Sequence, residues 1–126
     1  MKKLTILIAM LMASSAWAEW SLLSLNDNTS LYYDRESIKS DDNGSVYAWT
    51  MWDYRDGIPS RSLVTYNEFR CEVPLKFRNL AMRIYDTPKA SGDYPEKSFD
   101  TTGEWTHPAP GTLFETMALK VCGLGV

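Results

Sequence analysis

Between Trp20 and Thr102 the apolar residues alternate with polar ones or gather in short mixed runs, and beyond Pro110 they return at every third or fourth position. The first pattern predicts strands and the second a helix. Trp20 to Leu25 is apolar-rich and ends at the turn cluster Asn26-Asp27-Asn28, and Ser30 to Asp34 carries Leu31-Tyr32-Tyr33, giving two short strands. Asp41-Asp42-Asn43-Gly44 is the strongest turn signal in the chain, because Asn-Gly accepts the positive φ angles that tight hairpins need. Ser45 to Tyr54 is large and β-branched on both faces, as in a central strand, until Asp56-Gly57-Ile58-Pro59 breaks it. Arg61 to Val73 alternates, with Leu63, Thr65, Asn67, Phe69, Cys71 and Val73 on the predicted core side and Val64, Tyr66 and Glu68 among those on the other. Lys76 to Asp86 is a fifth strand; a polar loop, Pro88 to Lys97, leads to a sixth at Ser98 to Thr102.

Pro108-Ala109-Pro110-Gly111 closes the extended region, and Thr112 with Glu115 fits a capping box. Phe114, Met117, Ala118 and Val121 then form one apolar stripe, Gly123 supplies a stop, and Cys122 lies beside the stripe. The predicted fold is α+β: a single antiparallel sheet of about six strands, with a C-terminal helix packed on one face.

The first residues change the picture of where this domain works. Met1-Lys2-Lys3, an apolar run from Leu4 to Ala13, and Ala16-Trp17-Ala18 have the three parts of a secretory leader. The run is far short of the ~20 residues that span a bilayer. Residues 1–18 are therefore read as a removed signal peptide and 19–126 as one domain, periplasmic, secreted or at the cell surface. No Cys follows the cleavage site to take a lipid. Losing Lys2 and Lys3 makes the formal charge of −3 more negative by two. With no Lys/Arg run to neutralise phosphates, nucleic-acid binding is not expected. Cys71 and Cys122 are the two cysteines of the chain, fit no metal-ligand spacing, and in an oxidising compartment are expected to pair, pinning the helix across the sheet.

Catalytic chemistry is poorly represented. The single His107 lies in a Pro-rich stretch, and no nucleophile motif, phosphate loop or metal-ligand pair is present. Asp41 with Asp42, or Asp53 with Asp56, could be named as carboxylate pairs, but their setting reads as turn and strand-end carboxylates in water. The sequons at Asn28 and Asn43 are read as turn chemistry. Aromatic content is the sharper anomaly, with five Trp, seven Tyr and four Phe. On the central strand Tyr47 and Trp49 must face opposite to Trp52 and Tyr54. One pair is expected under the helix, and the other on an open face available to a partner.

Four features in order then carry a resemblance: Tyr32-Tyr33-Asp34 leading to Ser37-Ile38; Val46, Trp49 and Asp53-Tyr54; Arg61-Ser62 with Phe69-Arg70-Cys71; and Glu104-Trp105, Pro110-Gly111-Thr112 and Val121-Cys122. In these the chain resembles the bacterial surface-adhesin protein E family from Trp20 to Cys122. The resemblance implies a six-stranded antiparallel sheet with the helix tethered to its concave face by a disulfide. It also implies a non-enzymatic role: binding of a protein partner, whether a host extracellular protein or an envelope protein. A homodimer is compatible with this reading, and no cofactor is assigned. The alternative it raises is a carrier of a small ligand, haem, for which His107, Tyr32, Tyr33 and Met51 are the nominees, none supported by spacing.

The mature protein is expected to show a mass beginning at Glu19. It should also yield no free thiol when denatured without reductant; thiol titration under those conditions checks the Cys71–Cys122 pairing.

Overall fold

The computed structural model describes residues 20–26, 28–54, 61–91 and 95–124. The predicted leader, the start at Glu19 and the Asp56-Gly57-Ile58-Pro59 break lie outside the described residues. The strands are β1 (Trp20–Leu25), β2 (Thr29–Asp34), β3 (Lys39–Ser40), β4 (Ser45–Tyr54), β5 (Arg61–Arg70), β6 (Lys76–Tyr85) and β7 (Lys97–Phe99), followed by one α-helix, α1 (Leu113–Val121). The sheet runs β1-β2-β4-β5-β6-β7 with every pairing antiparallel, and β3 also pairs with β4.

Seven strands fill six places because β2 and β3 share one flank of β4. β2 pairs with its Thr50–Tyr54 end, and β3 pairs with Val46 and Tyr47. Between them the chain makes a 3-10 turn, Arg35–Ser37, capped by the Asp34 carboxylate, which accepts from the Glu36 N–H at 3.1 Å. The interruption would leave the Trp49 N–H without a ladder partner. Ser37 supplies one, its Oγ accepting that N–H at 2.9 Å while donating to the Asp34 carbonyl at 2.7 Å. The hairpin predicted at Asp41-Asp42-Asn43-Gly44 joins β3 to β4. Asp41 Oδ1 accepts from the N–H groups of Asn43 (2.9 Å) and Ser45 (3.0 Å), and Gly44 takes the positive φ of +88° that the turn requires.

The core lies between the sheet and α1. Leu31, Ala48, Trp52, Phe69 and Phe77 from the strands meet Met117, Ala118 and Val121 from the helix. Alternation along β5 is as expected through Cys71, but Val73 lies past the strand end and is 88 % exposed. The helical stripe needs a correction too: Phe114 is 44 % exposed, its ring resting on Trp52 and Phe77 at the margin of the core. Both helix ends are closed. Thr112 Oγ1 accepts from Glu115 N–H (3.3 Å), and the Glu115 carboxylate accepts from Gly111 N–H (2.9 Å), one residue upstream of an ideal box because the Thr112 N–H already donates to Ala109. At the other end Gly123, with φ +68°, lets its own N–H reach the Lys120 carbonyl and the Leu124 N–H reach that of Leu119.

Cys122 caps this helix and is bridged to Cys71, just beyond β5, with Cα atoms 5.5 Å apart and a sequence separation of 51. Closing a loop of that length restricts the unfolded chain and stabilises by about 4 kcal/mol in the chain-entropy picture. The bridge also fixes where the helix sits. Nine helical residues reach about 14 Å, whereas the ten residues of β4, β5 or β6 reach about 33 Å. Tethered at the Cys71 end of β5, the helix leaves the far end of its face, around Tyr54, Leu63 and Met82, uncovered.

The opposite face is not bare either. The loop after β6 folds back as a short 3-10 strap, Pro88–Ala90, over the Asp53 end of β4. Asp53 Oδ1 accepts from Lys89 N–H (3.0 Å); Ser62 Oγ accepts from Ala90 N–H (2.7 Å) and donates to the Thr87 carbonyl (2.7 Å). Lys89 and Ala90 both have left-handed backbones, φ 54° and 52°. Non-glycine residues adopt that conformation at a cost, here offset by hydrogen bonds to two buried polar side chains. Asp53, 4 % exposed, is thus a structural acceptor and not the solvated strand-end carboxylate expected from its neighbours in sequence.

Urea unfolding should find Thr112→Ala less stable by about 1 kcal/mol through loss of the cap. Met117→Ala should cost about 3 kcal/mol, and Phe114→Ala clearly less than Met117→Ala because its ring is half in water. Equal, small effects at Met117 and Phe114 would contradict a docked helix.

Candidate functional site

The alternation of β4 divides its aromatics as expected. Trp52 and Tyr54 point to the helix side, and Tyr47 and Trp49 to the other. Exposure, however, splits the first pair. Trp52 is buried, with the Phe114 ring 4.8 Å away, while Tyr54 stands beyond the helix end and is 38 % exposed. Tyr47 and Trp49 are each half-buried, so the second pair is partly sheltered.

What shelters them is Tyr66, which stands opposite Trp49 on β5. Its ring lies 6.2 Å from Tyr47, stacked, and 4.9 Å from Trp49, tilted. The three rings form a row across two strands. At the Trp49 end the Arg83 guanidinium lies 5.9 Å from the indole and is held by Asp100 Oδ1 (2.7 Å) and the Phe99 carbonyl (3.2 Å). Beside it opens a cavity of ≈ 410 Å³ walled by Trp20, Trp49 and Tyr85, with Asp34 and Arg83 as its charged groups. On the same face Trp105 is ringed by Arg78 at 4.3 Å, Lys76 at 4.9 Å and Arg70 at 5.8 Å. Its strand-like segment is docked by the reciprocal backbone bonds of Thr106 and Phe77.

Tyr47 is oriented from its hydroxyl end. It donates to Asp41 Oδ2 at 2.8 Å, and this bond raises the phenol above its ordinary pKa. Asp41 is lowered in turn, first by the Ser45 N–H and then by Tyr47. Glu68, across the strand from Tyr47, is buried, and burial alone would push its carboxyl up. The Ser45 hydroxyl (2.6 Å) and the Arg78 guanidinium (2.8 Å) outweigh that and hold it below the usual carboxylate range. Tyr54, on the helix side, is raised by burial.

The other candidates do not converge. Tyr32 and Met51 are cross-strand partners away from the helix, Tyr33 lies on the helix side, and His107 bonds the Leu75 carbonyl through Nδ1 at 2.8 Å. Asp42 is exposed at its turn, Asp53 is under the strap, and Asp56 is outside the described residues. Among the described residues no cluster of His, Cys, Asp and Glu is suited to a metal ion. Sequence reasoning placed Tyr66 on the correct side but did not pair it with Trp49, since cross-strand register is not visible in one strand. Arg83 carried no signal at all.

One antiparallel sheet, a terminal helix bridged to it, and a row of aromatic rings on the face away from the helix define a small disulfide-stapled module. A profile of surface-adhesin protein E matches residues 20–123, and the chain belongs to that family. Among curated proteins none matches the chain. No helix among the described residues is long and apolar enough to cross a membrane.

Lowered carboxyl groups stabilise the fold above their unfolded pKa and lose that contribution as pH falls through the folded value. Stability is therefore expected to drop as acid titrates Glu68 and Asp41 below the ordinary carboxylate value of about 4. Urea titrations at stepped pH should show a shallower acid dependence for Glu68→Gln than for the parent protein.

Proposed function

We propose that this is an exported, non-enzymatic, adhesin-like module that recognises a protein partner through the face bearing Tyr47, Tyr66 and Trp49. The observation that carries the reading is that row of half-exposed rings, positioned by Asp41 on the Tyr47 hydroxyl, Ser37 on the Trp49 N–H and Arg83 over the Trp49 indole. Rigid Trp and Tyr side chains dominate interface hot spots because they bury large areas for little lost rotamer freedom. The neighbouring Arg70, Lys76, Arg78 and Arg83 suit the polar rim of such an interface. Membership of the surface-adhesin protein E family supports the same direction. The partner is then a host extracellular protein or another envelope protein, met in the periplasm or at the cell surface.

The test is capture of host extracellular proteins and of envelope extract on the immobilised mature protein, for the parent and for Trp49→Ala combined with Tyr66→Ala. This combination spares the Tyr47–Asp41 bond. Affinity for whatever the parent captures should fall at least about thirtyfold, the loss of one hot spot of ~2 kcal/mol, with circular dichroism unchanged. Undiminished capture by the folded double variant rejects this face as the binding surface.

A further inference from the structure

The uncovered end of the helix-side face holds a groove distinct from the aromatic row. It has a volume of ≈ 370 Å³ and is walled by Trp52 and Tyr54 of β4, Leu63 of β5, Met82 of β6, and Leu113 and Phe114 from the first turn of α1. Tyr54 and Phe114 are two of the exposed large apolar side chains of the domain, and both stand at this groove. Its existence follows from the lengths already described: the tethered helix stops short, and its first turn forms a wall instead of a lid.

Besides Thr29 and the Tyr54 phenol on its β2–β4 flank, polar groups reach the groove from the β5–β6 side. A row of polar side chains, buried at Thr50, Thr65 and Asn67, crosses the helix side of the sheet: the hydroxyls of Thr50 and Thr65 lie 2.8 Å apart, and Asn67 Nδ2 donates to both at 3.0 and 3.1 Å. Asn79 Nδ2 completes the row by donating to Asn67 Oδ1 at 2.5 Å. Asn79 lines the groove, and among the described residues its Oδ1 has no partner. An amide oriented by that network, with one acceptor left over beside the aromatic and aliphatic walls, favours a donor on whatever enters.

We propose that this groove binds a small, flat, neutral, largely apolar molecule carrying one hydrogen-bond donor, its rings against Trp52 and Phe114 and its donor on Asn79 Oδ1. The volume is within the range of small-molecule sites, about 300–1,000 Å³. Three aromatic walls favour a planar body through offset and edge contacts. No charged side chain lines the groove, so an ionic ligand would lose its hydration with nothing in exchange. The inference does not depend on the partner face proposed above, which lies on the other side of the sheet.

The probes are 2-naphthol and 2-methoxynaphthalene, which share a ring system and differ in the donor. Each is titrated into the oxidised mature protein and followed by the Trp52 indole N–H and Asn79 side-chain amide resonances. Saturable shifts centred on these groups are expected, with 2-naphthol tighter by about fivefold, the worth of one neutral hydrogen bond. Asn79→Leu should bring the two probes to equal affinity. Equal affinities for the parent protein, shifts centred on Trp49 and Tyr66, or no saturation up to the solubility limit would overturn the proposal. The comparison on the parent protein decides the matter even where the variant does not fold.

Discussion

A nine-residue helix bridged at its last turn to the end of one strand must lie where the bridge puts it. From that constraint the core, the exposed part of the helix-side face and the position of Phe114 all follow. Met117, Ala118 and Val121 are sealed against Ala48 and Phe69 because the helix cannot slide from the Cys71 end. Leu113 and Phe114 hang at the edge because the helix is too short to carry them further. An uncrosslinked helix of this length is marginal in water. Here the closed caps and the bridge make its packing available at a low entropic cost.

The other face is shaped by a different device. β4 is flanked by an interrupted strand and overlaid at one end by the Pro88–Ala90 strap, so its away-facing side chains see three environments in succession. Tyr47 and Trp49 stay half-open, Met51 is sealed, and Asp53 is consumed by backbone donors. In both places a side-chain oxygen takes over from a carbonyl of a missing strand: Ser37 Oγ for Trp49, and Asp53 Oδ1 for Lys89. Backbone groups at depth must be paired, and at these two places the chain meets that rule with polar side chains.

Periodicity with local turn and cap chemistry was enough to read the six strand positions, the Asn43-Gly44 hairpin and the capped helix, because each is encoded within a few neighbouring residues; the cysteine pair was legible from its count and the leader instead. Long-range placement was not legible. Nothing in Pro88-Lys89-Ala90 announces a strap, since the signal is Asp53 and Ser62 waiting underneath, and Val73 carried the alternation of β5 past the end of its strand. The aromatic division of β4 was readable from alternation. Which side is sheltered was not, because it depends on Tyr66 and on the reach of a helix more than fifty residues away in sequence.

The Thr50–Thr65–Asn67–Asn79 row has a meaning for assembly as well as for stability. An apolar sheet face tolerates a slide of two residues between strands, since Val46, Ala48 and Trp52 would still point inward after it. Four polar side chains that satisfy one another in a single alignment do not, because any slide strands several of them without partners in the interior. The row therefore acts as a key for strand alignment across β4, β5 and β6, rejecting mispaired sheets that the hydrophobic pattern alone would accept.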